Sequence, residues 1–263
     1  MRKTHLGLTS LGGGFHFLSL CGALSIGTLL SVFVEAGSIS DGAKLPVIVR
    51  IEGVSPEDGR GRTDEFQIPV NTDNSFALDN VSKDGTLWNL DSLQVSGNID
   101  PFTSVNYAVT NNAAVTINFT VSVLLPIAPQ LPTTLHGGSV GGALTDANNN
   151  GVATVATVGG GVPFYQGQID GSTVLSIFTD PYSLSVAFAG QTINLPAMNP
   201  GLPGPTLPSG PALASIGIIN RFSLTPGDQF SGNSFFVIEP IPEPGTLVLA
   251  GLCLACLGFR RCN

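Results

Sequence analysis

Asp146-Ala147-Asn148-Asn149-Asn150-Gly151 sets side-chain oxygens at alternate positions ahead of a glycine, which is the first half of a calcium loop. Oxygen donors suit a hard cation, and the glycine lets the chain turn sharply. The second half departs from the pattern, because Thr157 stands at the twelfth position, where a bidentate acid is needed. An Asx-rich turn between strands is the favoured reading. No cofactor is expected, and calcium on Asp146, Asn148 and Asn150 would need an acid from elsewhere in the fold.

Gly137-Gly138-Ser139-Val140-Gly141 has the GxSxG spacing of a nucleophile elbow, and His136 sits beside it. An elbow needs a buried strand before the serine, a helix after it, and a histidine from a later loop. Here Pro132-Thr133-Thr134-Leu135 precede and no helical pattern follows, so a flexible glycine turn is expected. No catalytic residue is assigned. Paired carboxylates remain the open route to acid-base chemistry, and they would have to face one cleft about 5 to 9.5 Å apart. Trp88, with Tyr107, Tyr165 and Tyr182, could stack on sugar rings, although a lone tryptophan more often fills a core. Glu57, Asp58, Asp64 and Glu65 surround Arg60 and Arg62, a pattern that a solvated loop with local pairing explains.

The elements that must position these residues are strands. The 263 residues include 33 Gly and 19 Pro, too much punctuation for a helical bundle, while 43% hydrophobic content suffices for a core. Alternation predicts strands at 46–52, 65–70, 92–96, 104–110, 115–125, 152–158, 173–178, 184–188, 216–224 and 235–238. In the fifth of these, Val115, Ile117, Phe119, Val121 and Val123 face one way. Asn111-Asn112 reads as a hairpin turn. Leu195 to Pro211, with prolines at 196, 200, 203, 205 and 208, reads as a loop. The expected fold is all-β: one antiparallel β-sandwich, jelly-roll-like, over residues 37–241, flanked by an N-terminal signal helix and a short C-terminal hydrophobic helix.

Charge narrows the partners. Between Gly37 and Ile241 there are 6 Lys+Arg against 16 Asp+Glu, so no basic stripe remains to meet phosphates and nucleic acid is not an expected partner. All four cysteines (Cys21, Cys253, Cys256 and Cys262) lie in the apolar end segments. The body therefore has no disulfide and no thiol nucleophile.

The two ends read as addresses. Arg2 and Lys3 lead into the apolar run Phe15 to Val34, and Val34-Glu35-Ala36 suits signal peptidase, with cleavage after Ala36. The run is long for a signal segment, and a permanent N-terminal anchor is the competing reading. At the other end, Pro242-Glu243-Pro244 precedes the apolar run Gly245 to Phe259, closed by Arg260 and Arg261. As a helix this run would rise about 22 Å, short of the ~30 Å hydrocarbon layer. The two arginines would hold its end at the cytoplasmic surface.

Residues 242–263 resemble the PEP-CTERM sorting signal: Pro-Glu-Pro, a short apolar segment and a terminal arginine cluster. The resemblance covers the tail alone. It implies export through the inner membrane with transient anchorage there, recognition by an exosortase, processing near Pro242-Glu243-Pro244, and delivery to the cell surface or extracellular matrix, often beside exopolysaccharide. The leading expectation is an exported, non-enzymatic surface or matrix protein with signal peptidase and exosortase as its partners in export. A carbohydrate-binding module for exopolysaccharide, with Trp88 as the weak ligand candidate, is the second. A secreted hydrolase using paired carboxylates is the third.

Overall fold

Val47, Val49 and Ile51 alternate with Ile48, Arg50 and Glu52, and in the folded chain the first set is fully buried. Such alternation recurs along many of the strands. The computed structural model describes residues 44–241, which fall within one compact unit. In chain order its strands are β1 (Val47–Val54), β2 (Gly61–Ile68), β3 (Ser75–Lys83), β4 (Trp88–Asn98), β5 (Phe102–Asn111), β6 (Ile117–Pro126), β7 (Thr134–Thr145), β8 (Ala153–Ala156), β9 (Tyr165–Ile169), β10 (Ser172–Ile177), β11 (Ser183–Val186), β12 (Thr192–Met198), β13 (Leu207–Ser209), β14 (Ser215–Leu224) and β15 (Gln229–Pro240). The described residues contain no helix. The expected signal helix and the C-terminal hydrophobic helix both lie outside them.

Two antiparallel sheets face each other. One runs β10-β9-β14-β6-β1-β2, with β8 on the end of β14 and β11 on β8; the other runs β12-β7-β15-β5-β4-β3, with β13 on β7. The sandwich is as expected, but its winding is not that of a jelly roll. A jelly roll built from two Greek keys carries its chain between sheets at almost every connection. Here β1 and β2 form a hairpin, and β3, β4 and β5 form a meander within one sheet. The chain changes sheet at seven of its fourteen connections, among them β5 to β6 and β14 to β15. Because β5 lies beside β15 and β6 beside β14, the two crossings lock together.

Inward aromatics fill the middle. Phe222 of β14 stacks on Phe164 at 5.3 Å and on Phe119 of β6 at 5.4 Å, and meets Phe230 of β15 at 4.9 Å. Trp88 of β4 closes the row edge-on to Phe119 at 5.7 Å. Burying each ring stabilises the fold by roughly 2–3 kcal/mol before geometric preferences are added.

Three expectations fail for identifiable reasons. Residues 137–141 are the middle of β7, a central strand and not a turn, because glycine is what the close approach of neighbours requires: a Cβ on Gly138 would lie 2.6 Å from the Tyr165 hydroxyl, and one on Gly142 would strike the Ser231 carbonyl. Asn111-Asn112 is not a hairpin, since β5 and β6 belong to different sheets. The proline-rich stretch is not wholly loop: it holds most of β12 and all of β13. Both pair only with β7, so their prolines face an edge where no ladder donor is missed, and the ladder is irregular between Leu195 and Met198, around Pro196. The charged cluster also extends further into structure than a loop would, with Arg62, Asp64 and Glu65 on β2.

The five-residue link from Asn111 to Ile117 puts those two strand ends at one end of the sandwich. By register, Val47 of β1 and Pro240 of β15 then share the opposite end, with Val47 opposite Ile68 and Pro240 opposite Thr134. The chain therefore enters and leaves the sandwich at the same end.

Candidate functional site

At the far end the inward row turns polar. Gln229 stands opposite Thr110 on one side and Thr145 on the other. One step further along, Asp228 falls between Asn111 and Asp146. The three side chains share the inward parity of Phe230, Val109 and Leu144, and all are buried, Asp228 and Asn111 at 0% exposure and Asp146 at 1%. The Asn111 backbone N–H donates to the Asp228 carbonyl at 2.9 Å, which carries the pairing past the ladder.

Each member is held differently. The Asn111 side-chain amide donates to the Val115 and Leu224 carbonyls, both at 2.9 Å, and its oxygen accepts from the Ala113 N–H. It ties the β5–β6 crossing to the end of β14. Asp146 accepts three backbone N–H groups, from Asn150 at 3.2 Å, Gly151 at 2.8 Å and Gly190 at 3.1 Å. Asn148 accepts from the Asn150 N–H and donates to the Pro226 carbonyl, while Asn150 accepts from the Val152 N–H. The residues weighed as calcium ligands thus build an Asx-rich turn, and that turn is strapped to the β14–β15 connection. Asp228 accepts from the Thr225 hydroxyl at 2.6 Å through Oδ2, and its Oδ1 has no partner. Burial pushes this carboxyl above its ordinary range; the Thr225 hydrogen bond opposes the shift and the charge of Asp146 adds to it. Sequence reasoning missed Asp228, which only strand register brings to Asp146.

The GxSxG residues do not form a nucleophile site. Ser139 lies on the outer face of β7, whereas His136 faces inward at 4% exposure, so the sheet separates them. Burial lowers the His136 pKa, against a backbone hydrogen bond with Val174, and Nδ1 has no partner. Trp88 is likewise corrected as a ligand candidate. It is fully buried beneath the Arg62 guanidinium, 4.6 Å from the ring centroid, because its strand parity matches that of Leu90. Tyr107 and Tyr165 are buried too, and Tyr182 rests on Phe178 at 4.4 Å. Of the charged cluster, Arg60 pairs with Asp58 at 2.6 Å, and Arg62 and Lys83 both reach Asp64, at 2.7 and 3.3 Å.

Surface depressions among the described residues include two of interest. One, of about 570 Å³, opens at the far end between Arg60, Arg62, Leu87 and Ala113. The other, of about 400 Å³, lies on the outer face of the seven-stranded sheet among Ser92, Asn106, Ser231 and Asn233. Beside it on the same face Phe102, 36% exposed, leans on Phe235 with 5.9 Å between ring centroids. Nothing in the order of residues marks this pair, since its members belong to different strands.

The body is thus an acidic β-sandwich whose last strand runs straight into the proline-bounded tail. A family model describing the PEP-CTERM protein-sorting motif matches residues 240–261 of that tail. No curated protein matches the chain. A motif of this kind implies an exported, surface-directed protein processed by an exosortase. Its residues Pro242, Glu243, Pro244, Arg260 and Arg261, and the cleavage position Ala36 at the other end, lie outside the described residues.

Proposed function

We propose that the chain is a non-enzymatic structural protein of the bacterial surface or extracellular matrix, released by signal peptidase after Ala36 and held for a time in the inner membrane by its tail. One observation carries the reading: the sorting motif begins at Pro240, the last residue of β15, so the sorted cargo is the sandwich itself. The buried His136, and the placement of Ser139 on the opposite face, support the non-enzymatic part. Deleting residues 242–263 tests it. The sandwich should keep its fold and be lost from the surface fraction, and mass spectrometry of wild-type protein from surface and medium should find termini near Ala36 and Pro242. Unchanged localisation and intact termini overturn it.

A second reading is favoured by the outer face of the seven-stranded sheet. Ser92, Gln94, Asn106, Ser231 and Asn233 give it uncharged hydrogen-bonding groups, and Phe102 with Phe235 gives it an aromatic platform. Amides, hydroxyls and a stacking ring are what a neutral polysaccharide requires. Here the platform takes the place of the buried Trp88. Binding to an exopolysaccharide array that is lost in Phe235→Ala, with the fold intact, supports it; no binding by the wild type removes it.

A further inference from the structure

We propose that Asp146 and Asp228, opposed across β7 and β15 at the far end of the sandwich, form a binding site for one hard divalent cation, with calcium the best fit. The half-complete loop at 146–151 lacked its strong acidic ligand in sequence, and strand register supplies one. The β7–β15 ladder ends with Gln229 opposite Thr145, and continuing it by one residue brings Asp228 to Asp146, within reach of that residue's charge. Both side chains point inward and both are buried. Two like charges so placed and out of water repel strongly, so something positive must offset them. Among the described residues no Lys or Arg pairs with either acid.

The donor arithmetic leaves room for a metal. A carboxylate has about four lone-pair sites. Asp146 spends three on backbone N–H groups, two of them on Oδ2, which leaves one at Oδ1. Asp228 spends one, at Oδ2, and Oδ1 is wholly free and buried. An unpartnered carboxylate oxygen with no solvent to satisfy it is the independent sign that a ligand is missing. Every available donor is oxygen, with no imidazole or thiolate, which selects calcium or magnesium over the transition metals. The exposed Asn148–Asn150 turn leaves positions for water, as calcium's larger and looser shell tolerates.

The test uses the full-length chain in detergent micelles, calcium as the probe, and titration calorimetry with thermal melts in calcium or EDTA. One calcium per chain is expected, with Kd in the ~10⁻⁴–10⁻³ M range typical of extracellular modules, and a higher Tm with metal. Asp228→Asn should weaken binding at least ~10-fold, and Asp79→Asn, which alters an exposed acid on the edge strand β3, should bind as the wild type does. Hydrogen exchange on the wild type needs no variant: calcium should protect amides at 146–151 and 225–228 selectively. Absence of heat, Tm shift and protection at ~10 mM calcium, well above that range, overturns the proposal and leaves a shared proton to neutralise the pair. Equal calcium affinity in Asp228→Asn overturns it as well.

Discussion

The middle of the sandwich and its far end occupy the same inward positions yet solve burial in opposite ways. In the middle, Phe119, Phe164, Phe222 and Phe230 gain from area and stacking, and each ring tolerates several neighbours. At the end, Asn111, Asp146 and Asp228 are buried on directional hydrogen bonds to particular groups of the neighbouring loops. The first arrangement supplies stability that is spread over many contacts. The second fixes where the loops lie, and it fails abruptly if one bond is removed.

Phe222→Ala should break the middle hardest, costing about 3–5 kcal/mol in urea unfolding, since it touches Phe119, Phe164 and Phe230 at once. Asn111→Ala should cost somewhat less, about 2–4 kcal/mol. It leaves the buried Leu224 carbonyl without its side-chain donor, and hydrogen exchange should show the loosening concentrated at the β5–β6 and β14–β15 connections. A loss spread evenly over the sandwich would show that the end is no more specific than the middle. Gly138→Ala should cost about 1–3 kcal/mol by forcing Tyr165 off the strand.

The smallest effect sharpens the contrast through pH. His136 is buried with its pKa lowered, so the unfolded chain binds the proton more readily. Its contribution to stability is therefore present above the ordinary histidine pKa and is lost as the pH falls below it. His136→Gln should flatten that slope in unfolding experiments between about pH 7 and 5, the range where an ordinary histidine titrates. An unaltered slope would place the pH dependence elsewhere.

Where side chains carry the alternation, the strands could be read directly: β6 and β14 match their predicted spans closely. β7 was illegible because its contacts come from absent side chains. Gly137, Gly138, Gly141 and Gly142 show no hydrophobic period, although the backbone around them is tightly enclosed. β12 and β13 were hidden behind prolines that only an edge position tolerates. β9 was obscured by Gly167, which stands where a large inward residue would have marked it. For the candidate cation site, Asp146 and its turn were evident, but Asp228 reads as an ordinary turn residue until β15 is laid against β7. The sorting tail was the most legible part, because its meaning resides in a contiguous motif and owes nothing to tertiary structure.

Any attachment made through the residues after Ile241 pulls on β15, and β15 is an interior strand. Gln229 to Pro240 is bonded to β7 along its whole length, and Gln229 to Val237 to β5 as well. Antiparallel ladder bonds lie perpendicular to the strand, so a load along the tail meets them in shear, where rows must rupture together instead of peeling one by one. A tether grafted onto the edge strand β2 or β12 would unzip under far less tension.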